Sequence, residues 1–194
     1  MWIKPSYQNS IVNLMGSIAE SYGGKLKYKP LKKLPPKELK KTKNIVLILI
    51  DGLGAEFIKQ HAKKGFLDQN KLTEITSVFP STTTAAVTSF LTGEAPQEHG
   101  LTAWYMNLKE IGGVVIPLIL RMRNKSPIDT EFGDIFTLRT LSEKIKTNQY
   151  SIVPKQIIGK GINIKIKDKS KTLGYNSFKG MFTQIRKVLK SNTR

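Results

Sequence analysis

Asn44-Ile45-Val46-Leu47-Ile48-Leu49-Ile50-Asp51-Gly52-Leu53-Gly54 is the stretch on which the reading of the fold turns. Residues 45–50 are apolar without alternation, the pattern of a strand covered on both faces, and the run ends in a carboxylate and a glycine turn. In open α/β sheets ligands gather at the carboxyl ends of strands, which would put Asp51 at a functional edge. A second segment follows, Phe79-Pro80-Ser81-Thr82-Thr83-Thr84-Ala85-Ala86, leading to Leu91-Thr92-Gly93 and Glu98-His99-Gly100. It reads as a strand end, a proline break and a helix beginning among hydroxyls, with Ser81 or Thr82 as N-cap. A hydroxyl in that first turn, such as Thr83, would face free N–H groups and the positive end of the helix dipole, a natural place for a phosphate.

Outward from these segments, residues 8–22 carry a helical stripe of Ile11, Leu14, Met15, Ile18 and Tyr22, closed by Gly23-Gly24. Residues 25–43, with many lysines and Pro30, Pro35 and Pro36, read as an exposed connector. A helix is expected over residues 55–64 with Phe57, Ile58 and Ala62 inward, a strand over 74–79, and a helix over 83–91 burying Val87, Phe90 and Leu91. Trp104, Tyr105 and Met106 open a hairpin that turns at Gly112-Gly113 and returns through Val114 to Leu120; its aromatics read as core or as a pocket wall. Residues 134–146 are amphipathic, residues 150–153 read as a core strand, and residues 164–171 as looser chain. A last helix over 175–190 is expected to bury Phe178, Phe182, Ile185 and Leu189. Strands alternating with helices argue for an α/β fold, a mostly parallel sheet with helices on both faces. Residues 1–194 read as a single α/β domain, with helix and basic connector over 1–43 and the core over 44–194.

The chain has 194 residues, 39% hydrophobic and 24% charged, enough for one globular domain with a real core. No apolar run reaches the length of a membrane span and the start lacks a signal-type apolar segment, so the cytoplasm is the expected location. With no cysteine there are no disulfides or thiolate metal sites. Lys+Arg number 32 against 14 Asp+Glu, a formal charge of +18. Such a balance suits a phosphate-bearing partner, nucleic acid or an anionic surface. The cations are scattered and mostly lysine, however, which reads better as solvated helix faces than as a dedicated phosphate reader.

Taken together, the two segments resemble the alkaline phosphatase superfamily, most closely its type I phosphodiesterase/nucleotide pyrophosphatase group. The resemblance implies that Asp51, at the end of the first core strand, binds a catalytic metal. It implies that Thr83, just past the Phe79-Pro80 pair, is the nucleophile and a metal ligand. Thr84 beside it becomes a candidate substrate-binding residue. The implied cofactors are two divalent metal ions, zinc by preference, and the implied substrate is a small phosphate ester. His99-Gly100 would close the motif structurally and hold no metal, and His61 reads as a surface residue. Where nucleotide-cleaving members have an Asn three residues after the nucleophile, this chain has Ala86, which weakens the case for nucleotides in particular.

The family's other metal ligands are an Asp with a His a few residues on, an Asp-His pair and a final His. None occurs here, and the two histidines are His61 and His99. The resemblance thus covers the N-terminal half of a larger catalytic domain. It implies an incomplete alkaline phosphatase-like core and a truncated, inactive enzyme. A reading from another class is a non-catalytic basic module that binds nucleic acid or anionic surfaces.

Overall fold

The computed structural model describes residues 3–124, 126, 128, 136–158 and 168–191. Helix α1 (Ile11–Ser21) lies at the middle of the packing. Its Ser10 N-cap and Asn13 form a reciprocal box, and Asn13 Nδ2 also donates to the carbonyls of Tyr7 and Lys29 at 2.9 and 2.8 Å. The first turn of α1, through Ile11 and Val12, packs with Val78, Ala85 and Ala95. Further along the same face, Met15, Ile18 and Ala19 pack with Leu141 and Ile145. A third cluster joins Leu101 and Leu138, with Met106, Leu118, Leu120 and Phe136 against it.

The connector wraps α1 closely: Leu31 is buried, its N–H shared between the Asn13 carbonyl and Ser17 Oγ, and α2 (Pro36–Lys40) follows. Helices α3 (Ala55–His61) and α4 (Phe66–Gln69) are short and bury no residue. Phe57, expected inward, is exposed and stacks on His61. Helices α5 (Thr83–Thr92) and α6 (Pro96–His99) follow. Strands β1 (Met106–Leu108), β2 (Gly113–Ile116) and β3 (Arg121–Met122) then form an antiparallel sheet in that order. The hairpin turns at Gly112, where φ is +72°. Met106 is half-buried, while Trp104 and Tyr105 are exposed, with Arg123 over the Tyr105 ring. Helix α7 (Leu141–Lys144) covers only part of the amphipathic stretch expected over 134–146, of which 134 and 135 lie outside the described residues. Strand β4 (Tyr150–Pro154) pairs in parallel with β5 (Lys171–Tyr175), and α8 (Phe178–Ser191) packs on this pair.

This overturns the expected mostly parallel sheet. The fold is a small α/β arrangement with one three-stranded antiparallel sheet and one two-stranded parallel sheet. Residues 45–50 enter neither, and Val46 to Ile50 are between 41% and 55% exposed. Residues 74–79 form no strand either; Thr76 makes a single parallel bridge to Ser10. The physical reason is edge pairing. An apolar run marks a segment able to be a covered strand, but a strand exists only where another backbone edge meets it. Here the bonding groups of Thr76 go to Asn9 and Ile11, and β4 meets β5. Residues 44–49 instead line one side of an open cleft of about 1120 Å³, with β4 and the α8 residues Ile185 and Leu189 also on its walls. Helix α8 also departs from expectation: Ile185 and Leu189 are half-buried, whereas Phe178 is 76% exposed and Phe182 is exposed as well. Residues 159–167, which include part of the stretch read as looser chain, lie outside the described residues. Among the described residues no helix is long and apolar enough to cross a membrane.

Candidate functional site

Helix α5 begins where the hydroxyls predict it. Thr82 is the N-cap in extended conformation, and its Oγ1 accepts from the Ala85 N–H at 3.3 Å. The helix ends at Gly93 in the left-handed region, φ +72°, where a Cβ would collide with the Leu26 side chain. Its buried face is not the apolar one expected. Thr84, Ala85, Thr88, Ser89 and Thr92 are buried, while Val87, Phe90 and Leu91 are half-buried. The hydroxyls tolerate burial because the helix itself takes them up: Thr88 Oγ1 donates to the Thr84 carbonyl at 2.7 Å, and Thr92 Oγ1 to the Thr88 carbonyl at 2.8 Å.

Thr83, the first residue of α5, is half-buried and points its hydroxyl toward Asp51, with Oγ1 donating to Oδ2 at 3.5 Å. Asp51 is exposed, in the turn that leads to α3, with Gly52 at φ +75° beside it. The structure thus brings these two side chains together, although neither sits at the end of a strand. Thr83 and Thr84 occupy the first turn, where backbone N–H groups have no partner inside the helix. An anion there would meet N–H donors and the positive end of the dipole. Thr84 itself is fully buried, and its Oγ1 has no hydrogen-bond partner. The residue four positions back is Pro80, outside the helix, so the bond available to Thr88 and Thr92 is closed to Thr84.

The loop before α5 is braced from the far side. The Phe79 N–H lies 3.5 Å from the Tyr7 hydroxyl, which in turn donates to Gln97 Oε1 at 3.3 Å. Gln97 Nε2 donates to the Tyr28 hydroxyl, and that hydroxyl donates to Glu98 Oε1. Burial, then the bond to Glu98, pushes the Tyr28 phenol well above its usual range. Burial also pushes the Glu98 carboxyl up, but bonds from Lys27, the Ala95 N–H and Tyr28 outweigh it and hold the group low. Nothing in the sequence pattern announces this brace, whose members lie about 70 to 90 residues apart along the chain.

The contacts of the two histidines lie elsewhere than Asp51 and Thr83. His61 stacks on Phe57 at the surface. His99 is buried, with Nε2 3.2 Å from Ser89 Oγ and Nδ1 accepting from the Leu101 N–H at 3.1 Å. Burial pushes its imidazole down to about 4. Among the described residues no three His, Asp or Glu side chains gather where they could hold a metal ion. Asp51 and Thr83 provide two donors, and a catalytic zinc takes three protein ligands besides its open position. Among the described residues, then, Asp51 and Thr83 fall short of the donor set of a zinc centre.

No curated protein matches the chain, and no solved structure does. Residues 45–114, the span that holds both Asp51 and Thr83, match the family model described as type I phosphodiesterase / nucleotide pyrophosphatase.

Proposed function

We propose that Asp51 and Thr83 are the nucleophile end of a phosphoric ester hydrolase site of the phosphodiesterase/pyrophosphatase type, acting on a small phosphate ester. The observation that carries this reading is the 3.5 Å approach of Thr83 Oγ1 to Asp51 Oδ2 at the start of a capped ten-residue helix. Three elements contribute. The first-turn N–H groups of α5 hold the phosphate oxygens. Asp51, accepting the Thr83 proton in a hydrogen bond, directs a lone pair of the hydroxyl outward. In a completed site Thr83 Oγ1 would form a bond to phosphorus while its proton passes to Asp51 and the bond from phosphorus to the ester oxygen breaks. That oxygen would take a proton from water, and the hydroxide left behind would take the proton from Asp51. A second water would hydrolyse the phosphothreonine to free phosphate ester and the Thr83 hydroxyl.

The zinc dependence that the resemblance implies calls for donors beyond Asp51 and Thr83, supplied from outside the described residues. By ligand count this chain binds phosphate but does not turn esters over. In the first experiment inorganic phosphate is titrated into the labelled protein while the Thr83 and Thr84 amides are followed by NMR. Both signals are expected to shift in a saturable way, and unmoved amides would refute the anion site. The second experiment is turnover of a chromogenic phosphodiester by the zinc-supplied protein. The rate is expected to equal that of the Thr83→Ala and Asp51→Ala variants. Robust turnover lost in both variants would overturn the ligand-count argument.

A further inference from the structure

Helix α5 is an unusual element to hold in place. Its fully buried face is made of Thr84, Ala85, Thr88, Ser89 and Thr92, and the large apolar side chain that keys into its neighbours is the half-buried Phe90, against both core clusters around α1. Thr88 and Thr92 turn their hydroxyls back on the helix and offer only methyl groups outward. A face this smooth is attracted to the core but poorly registered by it. Phe90 holds the C-terminal half, and hydrogen bonds add to the registration. At the C-terminal end Lys144 Nζ donates to the Thr92 carbonyl at 2.8 Å and pairs with Glu94. In the middle of the helix the corresponding contact is His99, 3% exposed, whose Nε2 lies 3.2 Å from Ser89 Oγ, one turn on from Ala85.

We propose that His99 is a positioning residue for this site, a clamp that sets the placement of α5 and so the direction of the Thr83 hydroxyl. The chemistry is specific to one form of the ring. A backbone N–H can only donate, so Nδ1, which receives Leu101 N–H, carries no proton. The proton of the neutral ring is then on Nε2, where it serves Ser89 Oγ. A proton added at Nδ1 would oppose two donors and open the clamp on the Leu101 side. Helix α5 has no titratable side chain; from α6 the charged group facing the ring is Glu98, itself held by Lys27 and Tyr28. The proposal rests on the reading above only for the role given to Thr83, and the clamp is testable without catalysis.

The test reads the Thr83 side-chain rotamer through its three-bond NMR couplings, together with exchange of the α5 amides, in the full chain. Wild type is expected to show one Thr83 rotamer. His99→Gln, whose amide N–H can still reach Ser89, is expected to keep it. His99→Phe is expected to average the rotamer and to speed exchange of the Ser89 amide, bonded to Ala85, about tenfold. A merely structural role would lower stability in both variants and leave the rotamer alone, and that result would overturn the proposal. Should His99→Phe not fold, Ser89→Ala and a pH titration decide. The titration is run on Asp51→Asn, so that no carboxylate titrates beside Thr83. Couplings that move in Ser89→Ala, and in step with the His99 ring signals, support the clamp; couplings that stay fixed overturn it. Phosphate titration of wild type that leaves the Thr83 and Thr84 amides unmoved, with the couplings responding to His99 and Ser89 as above, would refute the site reading and leave the clamp standing.

Discussion

Asn13 illustrates how a single polar side chain can organise this molecule. Its Oδ1 accepts from Ser10 N and Ser10 Oγ, both at 2.9 Å, while its Nδ2 reaches two carbonyls sixteen and six residues away. All of this is buried or part-buried, so removal leaves several groups unpaired rather than rehydrated. Asn13→Ala is expected to destabilise the fold by about 3 kcal/mol, read as a lower urea midpoint. His99 makes the second prediction. Its pKa falls from 6.5 to about 4 on folding, so the proton favours the unfolded chain. The stabilisation is full above pH 6.5 and drains away as the pH falls to about 4, by about 3 kcal/mol in all. Glu98, held low in the fold, adds a loss further down, as the pH drops below the ordinary carboxylate range. Urea midpoints measured across this range should decline in wild type and be flatter between pH 6.5 and 4 in His99→Gln.

Among the elements, α1 and the connector approach so closely that a Cβ at Gly16 would lie 2.9 Å from the Tyr28 carbonyl oxygen. Gly16→Ala is therefore expected to destabilise by about 1–3 kcal/mol despite the better helix propensity of alanine, and thermal unfolding would measure it. Elements also differ in how far the sequence made them legible. Helices α1 and α5 were legible because their signals are local: the Ile11–Ile18 stripe, Gly23, the Thr82 cap and Gly93. The Gly112 turn was legible for the same reason. Strand pairing was not, because residues 45–50 carry no sign of which edge, if any, will meet them. β5 is not legible because Lys171, Thr172 and Gly174 mask its alternation. For α8 the period correctly showed an apolar face, but periodicity does not say whether Phe178 will find a cover. At the candidate site the pairing of residue types was legible, whereas the burial of Thr84 and the Tyr7–Gln97–Tyr28 brace depend on tertiary packing.

For the molecule as a whole, the three core clusters lie around α1 and the Leu101–Leu138 pair, while residues 46–50, α3 and α4 stay at the periphery. The exposed run from Val46 to Ile50 has a colloidal consequence. Two molecules that align these bare backbones gain hydrogen bonds and apolar contact together, the route by which unprotected edges seed precipitates. What opposes the encounter is mutual repulsion between chains of formal charge +18. That repulsion shortens its reach to about 8 Å at physiological ionic strength and further above it. Rising sodium chloride is thus expected to cloud solutions of this protein, read by light scattering, and Ile48→Lys to raise the salt concentration at which turbidity begins. Clouding that begins at the same salt concentration in both proteins would place the sticky surface elsewhere.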